Sequence, residues 1–405
     1  MKEEQKNTWV LKRHRIIMDI LRPIVGTYTK WKYGVDVKKY REEKERQMLI
    51  LLNHQTPFDQ FFVGMAFSQP IYYLATEDIF SKGWISSLIR FLVAPIPIKK
   101  QTMDLKAIKN CLLVAKEGGS ICLAPEGNRS YSGKTEYMNP SIVKLAKKLK
   151  LPVAIFRIEG GYGVQPRWSD VVRRGHMKAY VSEVIEPEEY EKLSNDEFFQ
   201  RIEQGLFVNE AVADGEFCHR KRAEYLERAI YYCPYCGLSK FYSEGHTIRC
   251  TTCGKEIEYT PKKELKGIGF DFPYPFVNDW YEAQKDFVNA LDTNSYLEEP
   301  LFRDEVTVSQ VFASRRKELV YKTAAMNLFG DRVEILPSDS DPVVYRFEEL
   351  GAITVLGRNK MNIYYEDKIY QVRGDKHFNA LKYVNIFHRS ENIRRGDTNG
   401  KFLGL

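Results

Sequence analysis

The chain has 405 residues, of which 43% are hydrophobic and 28% charged, with 25 Tyr and 23 Phe available to build cores. At roughly 150 residues per domain this predicts two or three domains, and it excludes collagen, a long coiled coil and wholesale disorder. The net charge of +7 suits an anionic lipid surface, a phosphorylated substrate or nucleic acid, without choosing among them. The longest uncharged stretch, Gln60 to Thr76, is broken by Gln69-Pro70 and falls short of the ~20 apolar residues a spanning helix needs. The opening KEEQKN lacks the apolar core of a secretory signal.

Residues 1–44 are expected to form a helical segment. Ile16, Ile17, Ile20, Leu21 and Ile24 recur at helical spacing after Lys12-Arg13-His14-Arg15. A basic amphipathic helix of this kind suits a membrane interface, and it equally suits core packing with a solvated basic flank. From Met48 to about Glu186, short apolar runs (MLILL, IYYLAT, SICLAP, LPVAIFRI, KAYVSEVI) alternate with helical segments such as LKAIKNCLLVAKEG and PSIVKLAKKLK. This predicts an α/β domain over 45–215, a mixed, mostly parallel sheet covered by helices. Ser194 and Glu197 form a capping box that opens a helix.

LLNHQTPFDQFF places His54 and Asp59 just after a predicted strand. On one continuous helix that offset points them apart. They can meet if His54 sits in the loop and a helix starts with Thr56 as N-cap, Pro57 as first residue and Asp59 three residues after the cap. A carboxylate beside a histidine fixes its tautomer and frees the other ring nitrogen to act as a general base. The plainer alternative is a capping carboxylate next to a polar loop residue.

SICLAPEGNRSYSGKT reads as a buried strand broken at Pro125-Glu126-Gly127, with Arg129, Ser130 and Lys134 in the loop that follows. Arginine, hydroxyls and free amides at a strand end suit phosphate binding, although an ordinary exposed connection has the same composition. VAPIPIKK ends a short strand in Lys99-Lys100.

In this order the motifs NHQTPFD, APIPIKK, APEGNRS and LPVAIF resemble those of the glycerolipid acyltransferases, which acylate lysophosphatidic acid and glycerol 3-phosphate. The resemblance covers roughly residues 45–190. It implies that His54 deprotonates the acceptor hydroxyl, that Asp59 orients it, and that the alkoxide attacks an acyl thioester directly with no acyl-enzyme. It further implies that Glu126 and Gly127 position the glycerol moiety, and that Lys100 and Arg129 hold the acceptor phosphate. The acyl donor would be acyl-CoA or acyl carrier protein, and the acceptor lysophosphatidic acid or a related lysolipid, giving phosphatidic acid. Three positions depart from the family pattern. Lys100 stands where Arg is commoner, Asn128 replaces Thr, and Ala124 replaces Phe. A lysine offers the phosphate a point charge rather than a fork. Lipid substrates imply a monotopic or peripheral enzyme on the cytoplasmic face of the membrane, attached through an anionic lipid surface.

CPYCG and CTTCG place Cys233, Cys236, Cys250 and Cys253 as two C-x-x-C pairs, each followed by Gly. Four thiolates so spaced predict a closed structural Zn²⁺ site, with an iron–sulfur or rubredoxin-like iron site as the lesser alternative, and residues 216–260 are expected to form a helix and a module that resembles a zinc ribbon. No basic–aromatic stripe accompanies it, so a nucleic-acid partner is not expected. Residues 261–303 read as a connector with one helix around Trp280–Leu291. Residues 304–395 show short β-type runs and a final helical patch, DKHFNALKYVNIFHR. This predicts a small β-barrel-like domain with a closing helix, which loosely resembles pleckstrin-homology-like domains, before a tail over 396–405. Arg315, Arg316, Lys317, Arg358 and Lys360 are its candidate contacts to acidic headgroups. The rival to the enzyme reading is a catalytically weak lipid-binding scaffold that recruits partners through the cysteine module and the C-terminal domain.

Overall fold

A computed structural model describes residues 9–41, 45–76, 84–98, 105–312 and 317–397. The chain divides into two compact units: residues 1–166 with 174–210, and residues 167–173 with 211–405.

The first unit opens with helix α1 (Lys12–Tyr33) and strand β1 (Val35–Val37). It continues through β2 (Leu49–Leu52), α2 (Asp59–Ala66), β3 (Ile71–Thr76), α3 (Trp84–Val93), β4 (Ile96–Ile98) and α4 (Leu105–Lys116). Then come β5 (Ser120–Leu123), α5 (Ser141–Leu149), β6 (Val153–Glu159), the short α6 (Gly161–Val164), β7 (Met177–Ile185), α7 (Pro187–Tyr190) and α8 (Asn195–Leu206). The sheet order is β1-β7-β6-β2-β5-β3-β4. Every pairing is parallel except β6 with β7.

Alternate strand residues face opposite sides, and both sides of this sheet are buried. Leu49, Leu51, Val153 and Ile155 pack with Cys111 and Val114 of α4, Ile142 and Ala146 of α5, and Phe198 and Ile202 of α8. From β6, Phe156 instead meets Phe67, which caps the C-terminal end of α2. Burying one such side chain stabilises the fold by roughly 1.5–3 kcal/mol. The expected capping box is formed: Ser194 Oγ accepts the Glu197 N–H, and the Glu197 carboxylate accepts the Ser194 N–H.

The start of α1 is tied down by Glu117, whose Oε2 accepts the Trp9 and Val10 N–H groups. Buried His14 meets the Tyr72 hydroxyl at 3.0 Å. The outward side of the helix is apolar at Ile16, Ile20, Ile24, Tyr28 and Trp31, all exposed. Trp84, Leu88 and Phe91 of α3 are exposed as well, and Arg13 of α1 lies 4.6 Å over the Phe91 ring.

In the second unit, β8 (Tyr232–Cys233) pairs with β9 (Gly237–Leu238). A four-stranded antiparallel sheet follows from β10 (Phe241–Glu244), β11 (Thr247–Cys250), β12 (Glu256–Tyr259) and β13 (Leu265–Gly267). Next are helix α9 (Val277–Ala290) and seven antiparallel strands: β14 (Phe302–Val311), β15 (Glu318–Leu328), β16 (Arg332–Pro337), β17 (Val343–Arg346), β18 (Leu350–Leu356), β19 (Lys360–Tyr365) and β20 (Lys368–Arg373). Their order, β17-β16-β15-β14-β20-β19-β18, makes a curled half-barrel, and α10 (Leu381–Arg394) closes the chain's folded part. Two ion pairs join the small sheet's loop and α10 to β14. Buried Lys382 meets Asp304 at 2.6 Å and Lys240 meets it at 3.7 Å.

Several expectations changed in detail. Helix α2 starts at Asp59, because Thr56 to Phe58 form a separate turn. Helix α10 begins at Leu381, after residues 375–380 have spent their polar groups on tertiary bonds such as Asn379 to the Glu227 carbonyl. Of the five cations expected to meet headgroups, Arg315 and Arg316 lie outside the described residues. Arg358 pairs with Asp170 at 3.0 Å, and Lys317 donates to Gln371.

Candidate active site

The site is built where β2 ends. Asn53 continues the β2–β6 ladder with its side chain: Nδ2 donates to the Ile158 carbonyl at 2.8 Å, and Oδ1 accepts the Ile158 N–H at 2.7 Å. This amide imitates a strand residue and fixes the direction in which the chain leaves the sheet. His54 follows at once.

Asp59 then draws the turn around itself. Its carboxylate is 1% exposed. It accepts the Gln55 N–H at 2.6 Å, the Thr56 N–H at 2.9 Å and the Thr56 hydroxyl at 2.7 Å. Its Oδ2 also lies 2.7 Å from His54 Nδ1. Thr56 Oγ1 accepts the Phe58 N–H, so the turn is closed before the helix begins. A carboxylate in this position favours the tautomer with Nδ1–H facing it, which leaves the Nε2 lone pair free. The imidazole side chain is 30% exposed.

Glu126 comes from the end of β5. Its Oε1 accepts the His54 N–H at 2.9 Å, joining two motifs 72 residues apart in the chain. Its Oε2 is buried with no hydrogen-bond partner among the described residues. Burial pushes the carboxyl up to about 8. The His54 N–H opposes that shift, and the charges of Glu136 and Asp59 add to it. At neutral pH this group is a neutral acid able to donate as well as accept. Gly127 follows, exposed, with its N–H on the Ala124 carbonyl. Arg129 is half-buried two residues further on. Ser130 Oγ accepts the Ser132 and Gly133 N–H groups and shapes the loop. The structure thus joins His54, Asp59 and Glu126 and sets Gly127 and Arg129 on the adjoining loop. Lys100 lies outside the described residues.

Residues Gly160 and Gly161 went unnoticed in the sequence. A Cβ on Gly161 would sit 2.5 Å from the Gln55 Cβ and 3.3 Å from Thr56 Cγ2. Gly160 has φ of +81°, and a Cβ there would fall 2.2 Å from the His176 carbonyl oxygen. Glu210 also contributes, taking the Gly160 N–H on its buried carboxylate. The available signal was the run EGGYG at the end of a strand, because clustered glycines there mark a close backbone approach.

In the second unit the sulfurs of Cys233, Cys236, Cys250 and Cys253 all lie within 4.8 Å of one another. Cys233 Sγ and Cys253 Sγ are 3.9 Å apart. Tetrahedral zinc with Zn–S near 2.3 Å sets sulfurs about 3.8 Å apart, so the cluster fits such an ion. The Tyr235 and Cys236 N–H groups point at Cys233, and the Thr252 and Cys253 N–H groups at Cys250.

Residues 34–158 match the family model described as Acyltransferase. The chain is 21% identical over 165 residues to a chloroplastic 1-acyl-sn-glycerol-3-phosphate acyltransferase of Brassica napus, covering 40% of this chain and 47% of that protein. It is 19% identical over 176 residues to a chloroplastic 1-acyl-sn-glycerol-3-phosphate acyltransferase of Arabidopsis thaliana, covering 42% and 49%. The chain therefore spans about half the length of the curated relatives it matches. Among solved structures, the 1-acyl-sn-glycerophosphate acyltransferase of Thermotoga maritima aligns at a TM-score of 0.41 and 20% identity, over 48% of this chain and 78% of that one. Residues 34–158 thus match the acyltransferase family model, and over about two-fifths of its length the chain is similar to proteins named 1-acyl-sn-glycerol-3-phosphate acyltransferases.

Proposed function

We propose that this protein moves a fatty acyl group from acyl-CoA or acyl carrier protein to the hydroxyl of lysophosphatidic acid or a related lysolipid. The observation that carries this reading is the 2.7 Å contact of His54 Nδ1 with a fully buried Asp59. That pair sits within the residues that match the acyltransferase family model.

In this mechanism His54 Nε2 takes the acceptor's hydroxyl proton as the oxygen attacks the thioester carbonyl. The tetrahedral intermediate collapses with cleavage of the C–S bond, and the imidazolium returns its proton to the departing thiolate. Asp59 keeps the tautomer correct and stabilises the imidazolium. General-base help of this kind is typically worth ~10²–10⁴ in rate. Glu126, with its neutral carboxyl, and Gly127 position the glycerol moiety. Arg129 and Lys100 hold the phosphate. The catalytic domain in this account is the segment expected over 45–215.

The exposed apolar residues of α1 and α3 support attachment to the cytoplasmic leaflet, with Lys12, Arg13, Lys30 and Lys32 offered to anionic headgroups. Among the described residues no helix is long and apolar enough to cross a membrane. The four cysteines would hold a structural Zn²⁺, which cross-links two hairpins and takes no part in acyl transfer. The half-barrel is proposed as a pleckstrin-homology-like partner- or lipid-binding domain.

Mass spectrometry of products from a lysolipid panel, with each acyl donor in turn, tests the assignment. Phosphatidic acid from lysophosphatidic acid is the expected product. No acylated lipid from any acceptor, with a folded and metal-loaded chain, would return the protein to the scaffold reading.

A further inference from the structure

The apolar side of α1 does not stop at the helix. At its C-terminal end Tyr28 lies 6.3 Å from Trp31 and 6.1 Å from Phe58, between ring centroids. Phe58 lies 5.0 Å from buried Tyr33 and 5.4 Å from Phe61. Phe58 immediately precedes Asp59, in the turn that carries His54. Trp31 is 79% exposed, and Tyr28 and Phe61 are each 38% exposed. An aromatic track therefore runs from Trp31 and Tyr28, at the C-terminal end of the helix that exposes Ile16, Ile20 and Ile24, to the turn bearing the base, with Lys32 Nζ 5.4 Å over the Tyr28 ring.

We infer that Tyr28, Trp31, Phe58 and Phe61 hold the acyl tail of the lysolipid acceptor while its hydroxyl reaches His54. The inference rests on the acyltransfer reading above. The acceptor is preferred to the donor as occupant because its tail belongs to a lipid assembly. To reach His54 without leaving apolar surroundings, that tail needs a path continuous with the surface that meets lipid. A donor chain arrives on a soluble thiol carrier and has no such requirement. Aromatic rings give large apolar contact with little loss of conformational freedom, which suits a tail of variable length. These are positioning residues, acting on the tail rather than on the reacting atoms.

The test compares two acceptors, oleoyl and hexanoyl lysophosphatidic acid, in the same detergent micelles with oleoyl-CoA. Phe61→Ser and Trp31→Ser should each raise KM for the oleoyl acceptor about tenfold, since tenfold is what losing roughly one to two buried methylene equivalents of apolar contact produces. KM for the hexanoyl acceptor, and kcat for both, should stay within about twofold of wild type on the same contact argument. Equal changes for both acceptors, or no change for either, would overturn the inference.

A second readout needs no turnover. Lysophosphatidic acid brominated along its tail, kept below its micellar concentration, should quench the fluorescence that distinguishes wild type from Trp31→Phe. Absence of that quenching would overturn the inference. Quenching by a wild-type protein that transfers no acyl group would leave the tail site standing and remove the acyltransfer reading.

Discussion

Gly161 lies against Gln55 so closely that a methyl group on it would be 2.5 Å from the Gln55 Cβ. The second strand end, 160–161, therefore sets the position of the turn that carries His54. Gly161→Ala must push that turn outward. A shift of about 1 Å at a catalytic turn can cost ~10² in rate, and overpacking of this kind costs about 1–3 kcal/mol of stability. Gly64→Ala in α2 is the control, since its methyl would find ordinary contacts at 3.4 Å. Thermal melts and initial rates of the two variants check the contrast.

Asp59→Asn should cost more than orientation alone. The amide can offer an N–H to His54 Nδ1, which favours the tautomer with its proton on Nε2, the nitrogen required to be basic. Loss of activity by about 10³–10⁴ is expected, with a fall in stability of about 1–3 kcal/mol because donors that met the carboxylate lose an acceptor. Steady-state rates and urea titrations separate the two effects. Activity within tenfold of wild type would reduce Asp59 to a cap.

The Glu126 carboxyl is raised to about 8 in the fold, against about 4.5 in the unfolded chain. Between those values the folded state holds a proton that the unfolded state has released. Stability therefore falls as pH climbs through this window. Glu126→Gln removes the titrating group, so its unfolding midpoint should decline less than wild type between about pH 5 and 8.5. Parallel declines would contradict the burial argument.

The cysteine cluster predicts about one zinc per chain, and iron in its place would contradict the zinc assignment. Chelation should unfold the two hairpins that carry Cys233 to Cys253. Apparent zinc binding in such sites is worth about 10–16 kcal/mol, more than a pair of short hairpins supplies. Elemental analysis with far-ultraviolet circular dichroism before and after chelation measures both.

Much of the site was legible locally. His54, Asp59 and the P-E-G break each declare themselves within a few residues, through turn chemistry and strand endings. The strands from β2 onward in the first sheet were legible as apolar runs and the capping box of α8 as Ser194 and Glu197, because these signals are local, whereas β1 (Val35–Val37) lies within the stretch expected to be helical. What escaped depends on distant partners. Glu126 is bound to the His54 backbone rather than left to the substrate alone, a contact across 72 residues. Asn53 serves the sheet through Ile158 from beyond the end of β2, which no local pattern reports. The antiparallel pairing of β7 and the membership of 167–173 in the second unit are set by tertiary packing. No periodicity in those residues reports it.

The central claim is that His54 is the base for acyl transfer. The direct measurement is phosphatidic acid formed from lysophosphatidic acid and acyl-CoA by wild type and by His54→Ala, quantified by mass spectrometry on protein shown to be folded. The account predicts product from wild type and a rate at least ~10²-fold lower from the variant. Product at equal rates from both would contradict it.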